Sequence, residues 1–316
     1  MAAAVRLGVR HLAAQIGAKP LHLIGYSTGA ALALDFALDA RVGEATPLPT
    51  SLVLISPALG IHPSAALAGV KSTLGSIPGM RGLAWLQIAP EFDPYKYNSF
   101  ATNAGSQVHR LTRSVSRRIP NERRQPSGLP LPRILVFKSA VDATVSTDAV
   151  VDRLLGRLAP HRHELVLFDI NRVAINSSLL ISDPGPITRR LMEATDLPFS
   201  VRLITNEAPD TWGIVAHYKP PLSRDIARSE PLPLEWPRGL ISLSHVALPF
   251  PPDDPLYGRQ APEDRDTLFL GEMALRGERD LLRFPESWLL RLRYNPFYEY
   301  LEERTAEWLE KGTENE

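Results

Sequence analysis

The sequence predicts an α/β fold, a parallel sheet with helices on both faces, and three observations point to it. Short apolar runs with the length of buried strands alternate with longer segments of helical periodicity. One of these strands continues directly into an Ala-rich helix through a turn that contains two glycines. The alternation favours right-handed crossovers between neighbouring parallel strands.

The first 59 residues are predicted to follow the order helix, strand, helix, strand. An amphipathic helix that ends at Gly17 is predicted from apolar residues at helical spacing, namely Val5, Val9, Leu12 and Ile16. The runs LHLIGYS (21–27) and SLVLISPAL (51–59) have the length and apolar character of buried strands. STGAALALDFALDA lies between them and is typical of a buried helix.

The remainder of the chain is predicted to form a core with two interruptions. Residues 60–128 are rich in Pro, Gly, Ser and Arg, with short helical pieces such as SAALAGVKSTL, and they break the alternation of strands and helices. The core then comprises 1–59 and 129–316, with an insertion at 171–238. Its predicted elements are a strand at 133–140, a helix from about 147 to 158, a strand at 163–170, strand-like runs PFSVRLIT and WGIVAHY, a strand at 239–246 and a helix at about 298–311.

Composition excludes several classes of protein. The 316 residues are 44% hydrophobic and 22% charged, an ordinary globular balance, and Lys plus Arg equals Asp plus Glu at 35 each. This neutral balance gives no electrostatic case for nucleic acid. The chain has no cysteine, which rules out disulfides and thiolate metal sites. No run reaches the ~18 apolar residues of a membrane span, and no signal peptide is evident, so a cytoplasmic location is expected.

The segment Gly25-Tyr26-Ser27-Thr28-Gly29 fits the pattern G-x-S-x-G, which predicts a serine nucleophile at a sharp strand-to-helix turn. Such a turn lifts the hydroxyl above the sheet, and side chains at the two glycines are expected to collide with backbone. The helix N-terminus favours developing negative charge, and the N–H of Thr28 is the expected oxyanion donor. The pattern alone arises by chance in other α/β folds, but here a strand precedes it and a helix follows.

A serine nucleophile needs a base and an orienting acid, which follow it in the order acid, then His. Asp142 directly follows the predicted strand at 133–140, whereas other candidate acids lie inside the next helix. His245 is predicted at the C-terminal end of the strand at 239–246, where sites of open α/β sheets lie. His161 and His163 are expected to be solvated at the entrance to a strand, and His217 falls in the insertion. Taken singly, Asp142 is better explained as a turn residue and His245 as an ordinary loop histidine. Taken with the turn at Ser27, in the required order and each at a predicted strand end, they are better explained as a triad.

Several runs together resemble the monoacylglycerol lipase and lysophospholipase-like branch of the α/β hydrolases, also described as serine aminopeptidase-like. These are GYSTGA, LVLISPAL, ILVFKSAVDATV, PYKYNSFATNAGSQVHRLT and SHVALPFPPDDPLYG. The resemblance implies a serine esterase or lipase that acts on a small acyl ester without a cofactor. It implies that Ser27 attacks the carbonyl, that His245 moves the proton and that Asp142 orients His245. It also implies that residues 60–128 form a cap over the pocket. Residues 171–238 match the family poorly.

The sequence departs from this family in two places. Only one helix precedes the strand ending at Gly25, so the first strands of the family's fold, and the loop that supplies a second oxyanion donor, are expected upstream of Met1. The alternatives are a partner chain that completes the edge of the sheet, or a decayed fragment. The second departure is the long separation of Asp142 from His245, for which the insertion at 171–238 accounts.

Two other features have ordinary explanations. Six arginines crowd part of the predicted cap, and a solvated face explains them better than attraction to anionic lipid: Arg110, Arg113, Arg117, Arg118, Arg123 and Arg124. His161-Arg162-His163 lacks a third ligand, so no metal is expected.

Three functions remain open from the sequence. The first is an active carboxylic-ester hydrolase, the second a non-catalytic remnant or binding module, and the third a hydrolase of peptides or thioesters that uses the same three residues. Fold and triad do not set the leaving group. An export or anchor signal upstream of Met1 would change the expected location.

Overall fold

The computed structural model describes residues 1–43, 47–60, 84–124, 130–142, 145–160, 162–174, 183–263, 268–271 and 291–311. Its helices are α1 (Ala2–Ile16), α2 (Thr28–Ala40), α3 (Thr102–Arg118), α4 (Thr147–Arg153), α5 (Gly185–Glu193) and α6 (Tyr298–Glu310). Its strands are β1 (His22–Tyr26), β2 (Ser51–Ile55), β3 (Trp85–Gln87), β4 (Phe100–Ala101), β5 (Arg133–Ser139), β6 (Glu164–Phe168), β7 (Ser200–Asn206), β8 (Gly213–Lys219) and β9 (Arg228–Glu235).

Seven strands form one mostly parallel sheet in the order β1-β2-β5-β6-β7-β8-β9. Strands β1, β2, β5, β6 and β7 pair in parallel with their neighbours in this order. Strands β8 and β9 add two antiparallel pairs. Tyr26 lies opposite Ile55, and Ile55 lies opposite Phe137. The C-terminal ends of β1, β2 and β5 therefore meet at one edge, where sites of parallel sheets form.

Strand β2 shows how the sheet is covered on both faces. Leu52 and Leu54 belong to a core cluster that also contains residues of α2, α3, α4 and α5. Val53 and Ile55 belong to a second cluster, on the opposite face, that contains Leu301 and Trp308 of α6. Alternate side chains of a strand point to opposite faces, so this division confirms the predicted parallel α/β sheet with helices on both sides.

Strand β1 lies at one edge of the sheet. Within the part of the chain that the structure describes, it pairs only with β2, and the side chain of Ile24 is 57% exposed. Helix α1 packs beside it through Val5 and Val9, which contact a cluster containing Phe36 of α2. Among the described helices, none combines the length and the apolar character needed to cross a membrane.

The described part of the predicted cap contains a short hairpin, β3 and β4, followed by α3. Helix α3 packs on the core rather than standing apart from it, because Val115 is fully buried in the cluster shared with α2. Arg118 of α3 forms ion pairs with Asp35 and Asp39 of α2. The predicted helical piece SAALAGVKSTL lies outside the described residues, and the division into core and cap stays a prediction.

The insertion at 171–238 extends the sheet. The two strand-like runs predicted there form β7 and β8, and α5 precedes them. Strand β9 was not predicted, because Pro231 and Pro233 are typical of loops; an edge strand tolerates them. The strand predicted at 239–246 is wrong, since that segment forms a loop and turn without ladder pairing.

Candidate active site

Ser27 lies at the turn between β1 and α2, with φ 50° and ψ −113°. This positive φ is costly for a residue with a Cβ and is a conformation that clusters at functional sites. The backbone holds the turn: the N–H of Ser27 donates to the carbonyl of Ile55 at 2.9 Å, and its own carbonyl accepts the N–H of Ala58 at 3.1 Å. The strained serine is therefore tied to the end of β2.

The two glycines of the turn differ in their surroundings. A Cβ on Gly25 would lie 2.6 Å from the backbone Cα of Ala30, so only glycine fits there. A Cβ on Gly29 would meet nothing within 4 Å. The expected collision is thus confirmed at Gly25 and wrong at Gly29, which lies in the first turn of α2 and faces open space.

Thr28 is the first residue of α2. The first N–H groups of a helix have no partner within the helix, and they carry its partial positive charge. The backbone N–H of Thr28 therefore lies at the N-terminus of α2, immediately after the serine.

The structure brings together Asp142, which follows β5, and His245, which follows the insertion at 171–238. His245 Nδ1 lies 3.6 Å from Asp142 Oδ1, which is longer than an ordinary hydrogen bond. The Asp142 side chain is fully buried, and that of His245 is 13% exposed. Asp142 Oδ1 also accepts the N–H of Val145 at 3.0 Å, so the carboxylate has a fixed orientation.

The imidazole of His245 also reaches the turn that carries the serine. Its ring stacks on Tyr26, with centroids 6.4 Å apart and planes inclined by 26°. Tyr26 directly precedes Ser27 in the chain, so the stack places the imidazole next to the turn that carries the serine. The hydroxyl of Ser27 and the imidazole, both in the described part of the chain, are not hydrogen-bonded. Such bonds are often long before substrate arrives.

The loop of His245 is held against the sheet by two side-chain hydrogen bonds. Ser139, the last residue of β5, donates from Oγ to the carbonyl of Leu243 at 2.7 Å. Ser244 donates from Oγ to the carbonyl of Leu292 at 3.1 Å. His245 thus has a defined position although it lies on a turn rather than at a strand end.

Burial and neighbouring charges shift two pKa values at the site. Burial lowers the pKa of His245; the charge of Asp142 opposes this shift, and the cations Lys138, Arg291 and Lys96 add to it. Burial also raises the pKa of the Tyr26 phenol, and the charge of Asp142 raises it further. His245 is therefore neutral, as a general base must be, to a lower pH than an ordinary histidine.

Two features of the site were not predicted from the sequence. Lys138 of β5 is fully buried and contacts Asp142 Oδ2 through its ammonium group. Ser56, at the end of β2, has φ 43°, and among the described residues its buried hydroxyl finds no hydrogen-bond partner. The signal for Lys138 was present, since a charged residue inside the apolar run ILVFKSA needs a buried partner.

Two other histidines in the described part of the chain have structural partners. His163 was expected to be solvated, which is wrong: it is 3% exposed, and its Nδ1 accepts the N–H of Ile134 at 3.1 Å. His217 lies on β8, with Nδ1 2.8 Å from Ser229 Oγ. His161 lies outside the described residues. In the described ranges, no group of three potential ligands is arranged to hold a metal ion.

Two solved structures are similar to about half of this chain. One is the monoacylglycerol lipase of Paleococcus ferrophilus, with 16% identity and a TM-score of 0.38, covering 53% of this chain and 65% of that one. The other is a soluble variant of the Saccharomyces cerevisiae monoglyceride lipase in complex with a substrate analog, with 12% identity and a TM-score of 0.38, covering 53% and 58%. The chain is similar to monoacylglycerol lipases.

The chain spans less than two thirds of the length of either lipase. No protein-family model and no curated protein sequence matches it.

Proposed function

We propose that this protein is a serine hydrolase that cleaves carboxylic esters through an acyl-enzyme intermediate. The observation that carries the proposal is the strained turn at Ser27, next to a ring stack that joins Tyr26 to His245. Asp142, whose Oδ1 lies 3.6 Å from Nδ1 of His245, is the proposed orienting acid. Nucleophile, acid and base follow one another along the chain in the order of an α/β-hydrolase triad.

The proposed reaction uses each of these groups once per half-reaction. His245 takes the proton from Ser27 Oγ as the oxygen attacks the ester carbonyl, and Asp142 stabilises the imidazolium that forms. The N–H of Thr28 donates to the oxyanion. Collapse of the tetrahedral intermediate expels the alcohol with the proton from His245. Water, activated by His245, then hydrolyses the acyl-enzyme.

The substrate proposed first is a small acyl ester of the monoacylglycerol or lysophospholipid type, which is what the sequence resemblance implies. A cavity of about 570 Å³ lies between residues 91–95 and loop residues that include Leu256. Its wall is joined to the segment that follows His245, because Tyr95 stacks on Phe250 with ring centroids 5.3 Å apart. We assign the non-reacting part of the ester to this cavity.

One observation favours the second function, a non-catalytic remnant. The 3.6 Å separation of His245 from Asp142 is longer than a hydrogen bond, and Lys138 engages the other oxygen of the same carboxylate. A protein that has lost activity would retain this geometry without tightening it. The two functions differ in whether Ser27 is activated.

Labelling with a fluorophosphonate probe tests the proposal directly, because the probe reacts only with an activated serine. We expect the native chain to be labelled and Ser27→Ala to be unlabelled. Ser56→Ala is the matched control, since Ser56 is also a serine with positive φ at a strand end, and it should keep the labelling. Folded native protein that takes up no probe would favour the remnant, and labelling that persists in Ser27→Ala would remove Ser27 from the mechanism.

Hydrolysis of nitrophenyl esters of increasing chain length then defines the acyl preference. His245→Gln is expected to lower kcat by at least about 10⁴-fold, because loss of the base disables the triad as a unit. A loss below tenfold would assign the base to another group.

A further inference from the structure

We propose that Lys138 is a positioning residue of this site, which holds the Asp142 carboxylate in place and weakens its pull on the His245 imidazole. The inference rests on the function proposed above, because it assigns a role within the same three residues. It adds a buried cation to the nucleophile, base and acid.

The position of Lys138 in the sheet shows why it needs a partner. It is the sixth residue of β5, a strand in which the residues from Ile134 to Ser139 are all buried. The side chain of Lys138 is completely inaccessible to solvent. Burying an ammonium group costs several kcal/mol unless it is paired and hydrogen-bonded.

Asp142 is the partner, and its two oxygens have different contacts. Oδ2 accepts a hydrogen bond from Lys138 Nζ. Oδ1 accepts the N–H of Val145 at 3.0 Å and lies 3.6 Å from His245 Nδ1. The carboxylate is therefore shared between the ammonium and the imidazole, and the contacts on both oxygens fix its plane.

The consequence for His245 is electrostatic. A cation next to the acid offsets part of the negative charge that favours the imidazolium form. The groups that act on His245 from the surrounding elements are Asp142, Lys138, Arg291 and Lys96, and Tyr26 stacks on its ring. Of these groups, Lys138 donates a hydrogen bond to Oδ2 of the acid.

The pKa of Lys138 lies within the pH range that experiments can cover. Burial lowers its pKa to about 8, while the charge of Asp142 and the hydrogen bond to it oppose the shift. Lys138 therefore carries its charge over the pH range in which His245 changes its own protonation state.

Lys138→Met tests the inference, because methionine keeps the length of the side chain and removes the charge. Losing a nearby cation favours the imidazolium, so the His245 titration midpoint, followed by NMR of the ring protons, should rise by about one pH unit or more. The acid limb of kcat/KM should move by the same amount. Lys138→Arg, which retains the charge, should keep the midpoint near that of the native chain.

Lys219→Met is the matched control, since Lys219 is also fully buried in the sheet but its ammonium has no hydrogen-bond partner among the described residues. It should leave the midpoint of His245 unchanged. An unchanged midpoint in folded Lys138→Met would overturn the inference. If Lys138→Met does not fold, Lys138→Gln replaces it with the same expectation, and failure of both to fold while Lys138→Arg folds would assign Lys138 a structural role instead.

The NMR readout needs no activity, so the two proposals can fail separately. A shifted His245 midpoint in Lys138→Met, without fluorophosphonate labelling of the native chain, would support the electrostatic role of Lys138 and contradict the proposed hydrolase activity. Labelling of the native chain that is lost in Ser27→Ala, together with an unshifted His245 midpoint in Lys138→Met, would support the hydrolase activity and contradict the role of Lys138.

Discussion

The backbone N–H of Asn171 donates a hydrogen bond of 2.7 Å to the carbonyl of Ile241, and so joins the two ends of the segment that forms α5 and strands β7 to β9. The side chain of Asn171 adds a second bond, from Nδ2 to the carbonyl of Leu240 at 2.9 Å. The chain therefore leaves the end of β6, extends the sheet and returns beside its starting point. Because β6 is the neighbour of β5 in the sheet, this closure returns the chain that carries His245 to the region of Asp142, which follows β5.

Asn171→Ala should loosen this closure. Asn171 is fully buried, and the substitution leaves the carbonyl of Leu240 without its donor, a loss of about 1–3 kcal/mol in the free energy of unfolding. We expect kcat for ester hydrolysis to fall as well, because the loop of His245 begins at this point. Urea denaturation and ester assays measure the two effects. Asn103→Ala, at an exposed position on α3, is the control, and equal stability of the two variants would contradict the role of Asn171.

Substitutions at the two glycines of the turn should have opposite effects. Gly25→Ala places a Cβ 2.6 Å from the backbone of Ala30, an overlap that must displace the turn and should cost about 3 kcal/mol of stability. Gly29→Ala meets nothing within 4 Å and lies in helix α2, so it should be neutral or stabilising by up to about 1 kcal/mol. Thermal unfolding of the two variants checks this pair, and a stable Gly25→Ala would show that the turn is not as close as described.

A buried ion pair fastens α6 to the sheet. Arg304 donates to both oxygens of Glu164 on β6 at 2.8 Å, and both side chains are at most 7% exposed. Arg304→Met should lower the free energy of unfolding by about 2 kcal/mol, because it removes two charged hydrogen bonds from a buried carboxylate that then keeps Arg202 as its cation.

The control for Arg304→Met is an exposed arginine with comparable partners. Arg190 of α5 pairs with Asp148 and Asp152, and its side chain is 49% exposed. Arg190→Met should cost less than about 1 kcal/mol, because solvent screens exposed pairs. Similar losses in the two variants, measured by urea denaturation, would show that burial of the pair at Glu164 contributes nothing.

The sequence predicted those parts of the fold that depend on local pattern. The strands β1, β2, β5 and β6 are apolar runs of strand length, and the turn at Ser27 is defined by a short motif. The segment at 239–246 misled the prediction because Leu243 is fully buried in the core although its backbone forms no ladder. Apolar spacing reports the burial of side chains, and a loop that packs on a sheet satisfies it as well as a strand does.

The candidate site shows a similar limit. The chain order of serine, acid and histidine led to Asp142 and His245, and the structure places these two side by side. The stacking of Tyr26 on His245 arises only when distant segments meet, so no pattern in one sequence specifies it. A lysine inside an apolar strand indicates a buried partner, but it does not identify that partner.

The pH dependence of the native chain gives the last prediction. Because burial lowers the pKa of His245 below its ordinary value of 6.5, the imidazole stays neutral and able to accept a proton until the pH falls below that value. We expect kcat/KM for ester hydrolysis to be constant from neutral pH downward and then to fall, with a midpoint below pH 6.5. The rate of fluorophosphonate labelling should follow the same curve, since it depends on the same base. His217→Gln should leave the curve unchanged, because His217 lies on β8 and bonds Ser229. A midpoint above 6.5 would mean that the charge of Asp142 outweighs burial and the surrounding cations at His245.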